Sequence, residues 1–258
     1  MNIRQVVVLV SMIGAVVGSL VGSGALGGTP IAQAAGGALG ADATPVAPAG
    51  PAFSIWSVIY LGLVAYSIWQ LLPEQRTDPR QRRLGYPIAA SLLLNAAWIL
   101  SIQAGLLVLS AVVIVLLLVV LVYTFRICLT TRPAGWVEAT VVDGAVGLYL
   151  GWVCVATIAN ITAVLTAAGF SGWGISRDAW AVVIIAVAGG IGVAVAIRGR
   201  GRLSPTAALC WGLAWVAVAR LTGDLRSTPA AIAAIVAAVI VLLATIVWRI
   251  RAAAMPSR

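Results

Sequence analysis

Trp152, Ala156 and Asn160 stand four residues apart in the stretch Tyr149-Leu-Gly-Trp152-Val-Cys154-Val-Ala-Thr157-Ile-Ala-Asn160, so they share one face of a helix, with Tyr149 beside them. The stretch lies in an uncharged apolar run long enough to cross a bilayer. A carboxamide in hydrocarbon with no partner costs several kcal/mol, so Asn160 must hydrogen-bond another helix, a water or a ligand. Two other apolar runs repeat this mixture. Trp56 and Tyr60 are four apart in one, and Asn95 and Trp98 are three apart in another. With a rise of ~1.5 Å per residue, the three sets reach similar depths in a bilayer. Broad aromatic faces for stacking and a few amides for orientation are what a pocket for a lipophilic ligand requires. Tryptophans near span ends (Trp69, Trp136, Trp173, Trp180 and Trp248) read instead as anchors in the membrane interface.

Catalytic and metal chemistry find little material. The chain has no histidine, and its three cysteines, Cys128, Cys154 and Cys210, lack paired spacing, so zinc and disulfide readings fail. There is no Asp-rich diphosphate motif, no serine with a base and no glycine loop for a phosphate, so no enzyme and no cofactor are expected. Of the seven acidic residues only Asp143 falls just inside a span, where a helix N-terminus also accounts for it.

Composition indicates the helices that carry these groups. Over 258 residues the chain is 62% hydrophobic and 9% charged, outside the range of soluble domains. Apolar runs predict an all-α, polytopic membrane protein with about eight transmembrane helices, over roughly 4–24, 53–72, 86–103, 105–126, 142–166, 179–197, 205–221 and 230–249. Spans three and four are separated by little more than Gln103-Ala-Gly105 and form a tight hairpin. Ser176-Arg-Asp178, Ser204-Pro205 and Thr228-Pro229 mark helix starts.

The net charge of +9 comes from arginine alone, and its placement argues for topology rather than nucleic acid. Arg4, Arg76, Arg80, Arg82, Arg83, Arg126, Arg132, Arg198, Arg200, Arg202, Arg249, Arg251 and Arg258 fall on one set of alternate connections; only Arg177, Arg220 and Arg226 fall on the other. This bias places both termini in the cytoplasm of a multi-pass cell-membrane protein, with the basic clusters meeting anionic headgroups. Arg220 and Asp224, four apart, read as an interfacial ion pair.

Arg4 followed by Val6–Leu26 and Ala32-Gln33-Ala34 has the outline of a signal peptide. A retained first span is expected instead, because Gly14, Gly18 and Gly22 form a ridge suited to close helix approach within the core or against a second copy. The connection from about 25 to 52 is the longest in the chain, with Pro45, Pro48 and Pro51 evenly spaced, and reads as a linker or as a lid.

These motifs resemble the TspO/MBR family, the tryptophan-rich sensory proteins that include the translocator protein. Tyr149-x-x-Trp152 followed by Ala156-Thr157 and Asn160 is similar to that family's fifth helix. Phe53-Ser-Ile-Trp56-Ser-Val-Ile-Tyr60 resembles the start of its second, and Asn95-Ala-Ala-Trp98 its third. The resemblance implies a five-helix core over 1–168 and a three-helix extension over 169–258, as in larger bacterial members. It also implies an external loop, here 25–52, that closes over a ligand cavity; the Trp-x-Pro-Pro motif usual there is reduced to spaced prolines. It implies a porphyrin or other flat lipophilic ligand, bound by Trp56, Tyr60, Asn95, Trp98, Tyr149, Trp152 and Asn160 for sensing, sequestration or transport. Membrane lipids and a homodimer are the other implied partners. An exporter or permease using the aromatic cavity as a pathway is the alternative, and light-dependent breakdown of a bound porphyrin a third reading.

Overall fold

In a computed structural model of the chain, residues 1–254 are described, and Arg258, counted among the basic residues above, lies outside them. Eight helices are long and apolar enough to cross a membrane: α1 (Ile3–Gly22), α2 (Gly50–Trp69, whose first turn is a 3-10 helix), α3 (Pro79–Gln103), α4 (Leu107–Thr130), α5 (Trp136–Ala167), α6 (Arg177–Arg198), α7 (Leu203–Thr222) and α8 (Thr228–Ala254). Among the described residues there is no strand. The fold is all-α, as the apolar runs predicted.

Two helices begin earlier than hydropathy alone indicates. Asp78 caps α3 by accepting a hydrogen bond from the Gln81 amide at 2.7 Å, and Pro79 takes the first helical position, so α3 starts at Pro79 rather than near 86. α5 starts at Trp136 rather than near 142, because its charged first turns are buried and paired. Its segment Ala139–Gly144 is π-helical, with i→i+5 bonding. The hairpin between α3 and α4 closes at Gly105, where φ is +71° and a side chain would be strained.

The chain forms two compact units, one comprising Met1–Gly36 and Ser54–Leu150, the other Gly37–Phe53 and the chain from Gly151 onward. In the first unit α1 packs on α3. A Cβ on Gly18 would meet the Ala96 Cβ at 3.4 Å, and one on Gly22 would meet Ile99 Cγ2 at 2.8 Å. Gly14 is exposed and has nothing within 4 Å, so only two of the three ridge glycines make a helix contact, and that contact lies within the chain. The apolar effect is weak between helices in lipid, so such close packing and polar bonds carry the association.

One group of these polar bonds lies where α1 and α3 begin and α2 ends. Gln5 Nε2 donates to the Gln70 carbonyl at 2.7 Å and Gln70 Nε2 donates back to the Gln5 carbonyl at 3.1 Å, tying the start of α1 to the end of α2. Arg4, its stem lying against Gly85, donates to the Gln75 carbonyl at 2.6 Å. Arg80 reaches Glu138 at 2.6 Å and also Asp143, and Gln81 Nε2 donates to Glu138 at 2.7 Å. Glu138 and Asp143 are five residues apart, so one π turn brings both carboxylates to the same guanidinium. Arg4 and Arg80 are therefore buried structural groups rather than headgroup contacts, whereas Arg76, Arg82, Arg83, Arg126 and Arg132 are exposed.

In the second unit the helices meet through small residues. A Cβ on Gly151 would lie 2.1 Å from the Pro205 carbonyl oxygen, and one on Gly212 2.9 Å from Val155 Cγ1, so α5 and α7 touch backbone to backbone. Thr206 and Thr245 share a buried hydroxyl hydrogen bond of 2.6 Å between α7 and α8. Ser176 caps α6 by accepting from the Ala179 amide at 3.2 Å, as its position ahead of the apolar run suggested.

Candidate functional site

Within the first unit α2, α3 and α5 each contribute to one aromatic and amide cluster. Four-residue spacing puts Trp56 and Tyr60 on the same face of α2, with ring centroids 5.7 Å apart. Trp56 also meets Tyr149 of α5 edge-on at 5.6 Å. The approach of the helices rests on a small pair one turn away, where a Cβ on Gly62 would lie 2.8 Å from the Ala145 Cβ. Edge-to-face pairs of this kind hold aromatic rings in fixed orientation.

Hydrogen bonds set the polarity of the cluster. The Tyr60 hydroxyl donates to the Ala15 carbonyl at 3.1 Å, and a carbonyl can only accept. The Tyr60 oxygen is thus left to accept, and Asn95 Nδ2 donates to it at 2.8 Å. This orients the carboxamide and turns Asn95 Oδ1 away as a buried acceptor with no hydrogen-bond partner, in a residue only 3% exposed. The Tyr149 hydroxyl is used in the same manner, donating to the Ser91 carbonyl at 3.2 Å. Trp98 is buried on α3, one turn beyond Asn95.

Within the second unit Trp152, 1% exposed, meets Phe53 edge-on at 5.6 Å. Thr157 and Asn160 are buried further along α5, and Thr157 Oγ1 has no hydrogen-bond partner. Phe53 ends a segment that the sequence left open between linker and lid. Thr44, Val46, Ala47 and Ala52 are all buried, and the segment is tied to α7 at three places. Arg220 donates to the Ala41 carbonyl and lies 3.7 Å from the Asp42 carboxylate; the Ala49 amide donates to the Trp215 carbonyl at 3.1 Å; the Trp211 indole donates to the Ala52 carbonyl at 2.9 Å. A free linker is excluded by these bonds. Arg220 is fully buried, and the carboxylate beside it is that of Asp42, not of Asp224 four residues on as expected.

Of the seven residues expected to bind ligand, Trp56, Tyr60, Tyr149 and Asn95 meet in one cluster of the first unit. Trp98 is buried near Asn95, and Trp152 and Asn160 are buried in the second unit. The sequence marks Phe53 only as the aromatic that opens a helix; its contact with Trp152 joins positions 99 residues apart and has no local signature. The bonds that Asp42, Trp211 and Arg220 make have none either, their partners being distant in the chain.

No curated protein and no solved structure matches this chain. A family model described as TSPO-like protein matches residues 5–248, through the last three helices as well as the motifs of α2, α3 and α5. With eight helices able to cross a membrane and aromatic clusters at the positions those motifs singled out, the chain belongs to the TSPO-like family of multi-pass membrane proteins.

Proposed function

We propose that the protein binds a flat, lipophilic molecule, with a porphyrin as the type, for sensing, sequestration or transport and without catalysis of its own. Trp56, Tyr60, Asn95, Trp98, Tyr149, Trp152 and Asn160 are the binding residues in this reading. The observation that carries it is the amide of Asn95: buried beside Tyr60, its nitrogen spent on that hydroxyl, its oxygen without a partner. An unpaired buried acceptor costs about 1–3 kcal/mol, a penalty that a ligand with an O–H or N–H at its edge removes. A protonated propionic acid of a porphyrin is such an edge. The reading keeps 1–168 as the ligand-binding core and 169–258 as an extension of it.

Titrating tryptophan fluorescence with protoporphyrin and with its dimethyl ester tests this. The parent protein binds the acid more tightly than the ester, and Asn95→Leu narrows the gap by roughly fivefold, the worth of one hydrogen bond of about 1 kcal/mol. The fold tolerates that substitution because Tyr60 keeps its bond to the Ala15 carbonyl. Trp248→Ala, on α8 beside Arg251, binds like the parent. Equal affinity for acid and ester in the parent, or the same response from Asn95→Leu and Trp248→Ala, defeats the reading. Flux of protoporphyrin through sealed proteoliposomes separates a carrier from a receptor.

The proposal places the protein in the cell membrane with both termini cytoplasmic, on the arginine bias. An impermeant thiol reagent applied to intact cells is expected to modify Gln33→Cys and spare Thr77→Cys, both exposed positions in connections between helices. The opposite pattern would reverse the orientation.

A further inference from the structure

The three ties between the segment Gly37–Phe53 and α7 run in reverse order along the two. Ala41 and Asp42 meet Arg220, Ala49 meets Trp215, and Ala52 meets Trp211. Segment and helix thus lie antiparallel from Trp211 to Arg220, ~13 Å at the usual rise. The segment then ends on Phe53, whose ring lies edge-on to Trp152.

The upper tie is the most elaborate. Arg220, fully buried, donates to the carbonyls of Ala41 and of Leu225, and Asp42 Oδ1 in turn accepts from the Leu225 amide at 3.1 Å. Gly223 makes room for the carboxylate, since a Cβ there would stand 2.9 Å from Asp42 Oδ1. A charged group buried at a helix end costs free energy unless its bonds are kept, so Arg220 holds the segment only while the carbonyl and carboxylate stay in place. The lower tie is a single indole hydrogen bond from Trp211, a side chain still 38% exposed and packed against Trp215.

We propose that α7 is the latch of this segment: Arg220 and Trp211 hold it down with Phe53 against Trp152, and a ligand gains Trp152 when the latch releases. This rests on the ligand reading above for its second half. Arg220 and Trp211 are then positioning residues, acting on the ligand site through the backbone of residues 41–52.

Labelling kinetics and ligand kinetics test the two halves apart, in the full chain reconstituted in lipid nanodiscs. Ala47→Cys, at a position within the latched segment that is 5% exposed, in a Cys210→Ala background reports opening through its rate of maleimide modification. Trp211→Phe, which keeps a ring against Trp215 and removes only the N–H donor, is expected to raise that rate roughly fivefold. Arg220→Gln is expected to raise it roughly 30-fold, in keeping with the larger worth of bonds to a charged group. Stopped-flow mixing with protoporphyrin should show association and dissociation accelerating together in the same order, with affinity changing far less than either rate. Unchanged labelling in both variants overturns the latch. Faster labelling with unaltered protoporphyrin rates overturns its role as a gate. Should the parent bind no protoporphyrin at all, the ligand reading fails, and the latch is still judged by the labelling rates.

Discussion

Arg80→Met is expected to destabilise the protein by about 3–5 kcal/mol, because it strands two buried carboxylates at once. Glu138 and Asp143 are both nearly inaccessible, and Arg80 is the cation that reaches each of them. Without it they lose Coulombic attraction and charge-assisted hydrogen bonds while still buried, which a charged group tolerates only at a large cost. The ends of α3 and α5 would separate where Gln81 and Thr131 now complete the network. Thermal unfolding in detergent, followed by near-ultraviolet circular dichroism, measures the loss. A companion variant in which Glu138→Gln and Asp143→Asn accompany Arg80→Met should recover most of it, since neutral groups are cheap to bury beside a methionine. An Arg80→Met protein as stable as the parent, or a companion no better than the single variant, contradicts the assignment of this triad as the fastener of the first unit.

Gly151→Ala should cost about 3 kcal/mol, the upper end of what overpacking imposes. The new methyl carbon would stand 2.1 Å from the carbonyl oxygen of Pro205 and 3.0 Å from its Cα, all backbone atoms that have no rotamer to change. α5 and α7 would have to part, and the contact of Val155 with Gly212 one turn away would part with them. Gly190→Ala makes the comparison, because nothing lies within 4 Å of a Cβ there. That change should leave stability equal or raise it by up to ~1 kcal/mol through better helix propensity. Equal melting temperatures for the two alanine variants would mean that the α5–α7 contact is looser than its geometry states.

Much of the architecture was legible in the chain. Eight spans, the hairpin at Gly105 and the cap at Ser176 all follow from local physics: apolar run length, a residue tolerant of positive φ, and a hydroxyl one step ahead of a helix. The pairing of Trp56 with Tyr60 was legible for the same reason, since residues four apart on a helix must share a face. The boundaries of α3 and α5 were not, because a hydropathy criterion rejects Arg80 and Glu138 as span residues. They neutralise one another only after two helices meet.

Arg220 shows the limit most sharply. Four-residue spacing offered Asp224 as its partner, yet its carboxylate is that of Asp42, 178 positions earlier. Local spacing states which groups are able to meet along one helix, and says nothing of a competing group brought by a distant segment. The class of protein, the number of spans, the family and the faces on which the aromatic residues stand follow from residue order alone. Folding in three dimensions was needed to turn the Asn95 oxygen away from Tyr60, to bring Phe53 to Trp152, and to bond the segment of residues 41–52 to α7. Those outcomes depend on hydrogen bonds and ring contacts between residues far apart in the chain, and such partners are chosen by packing, which no local pattern encodes.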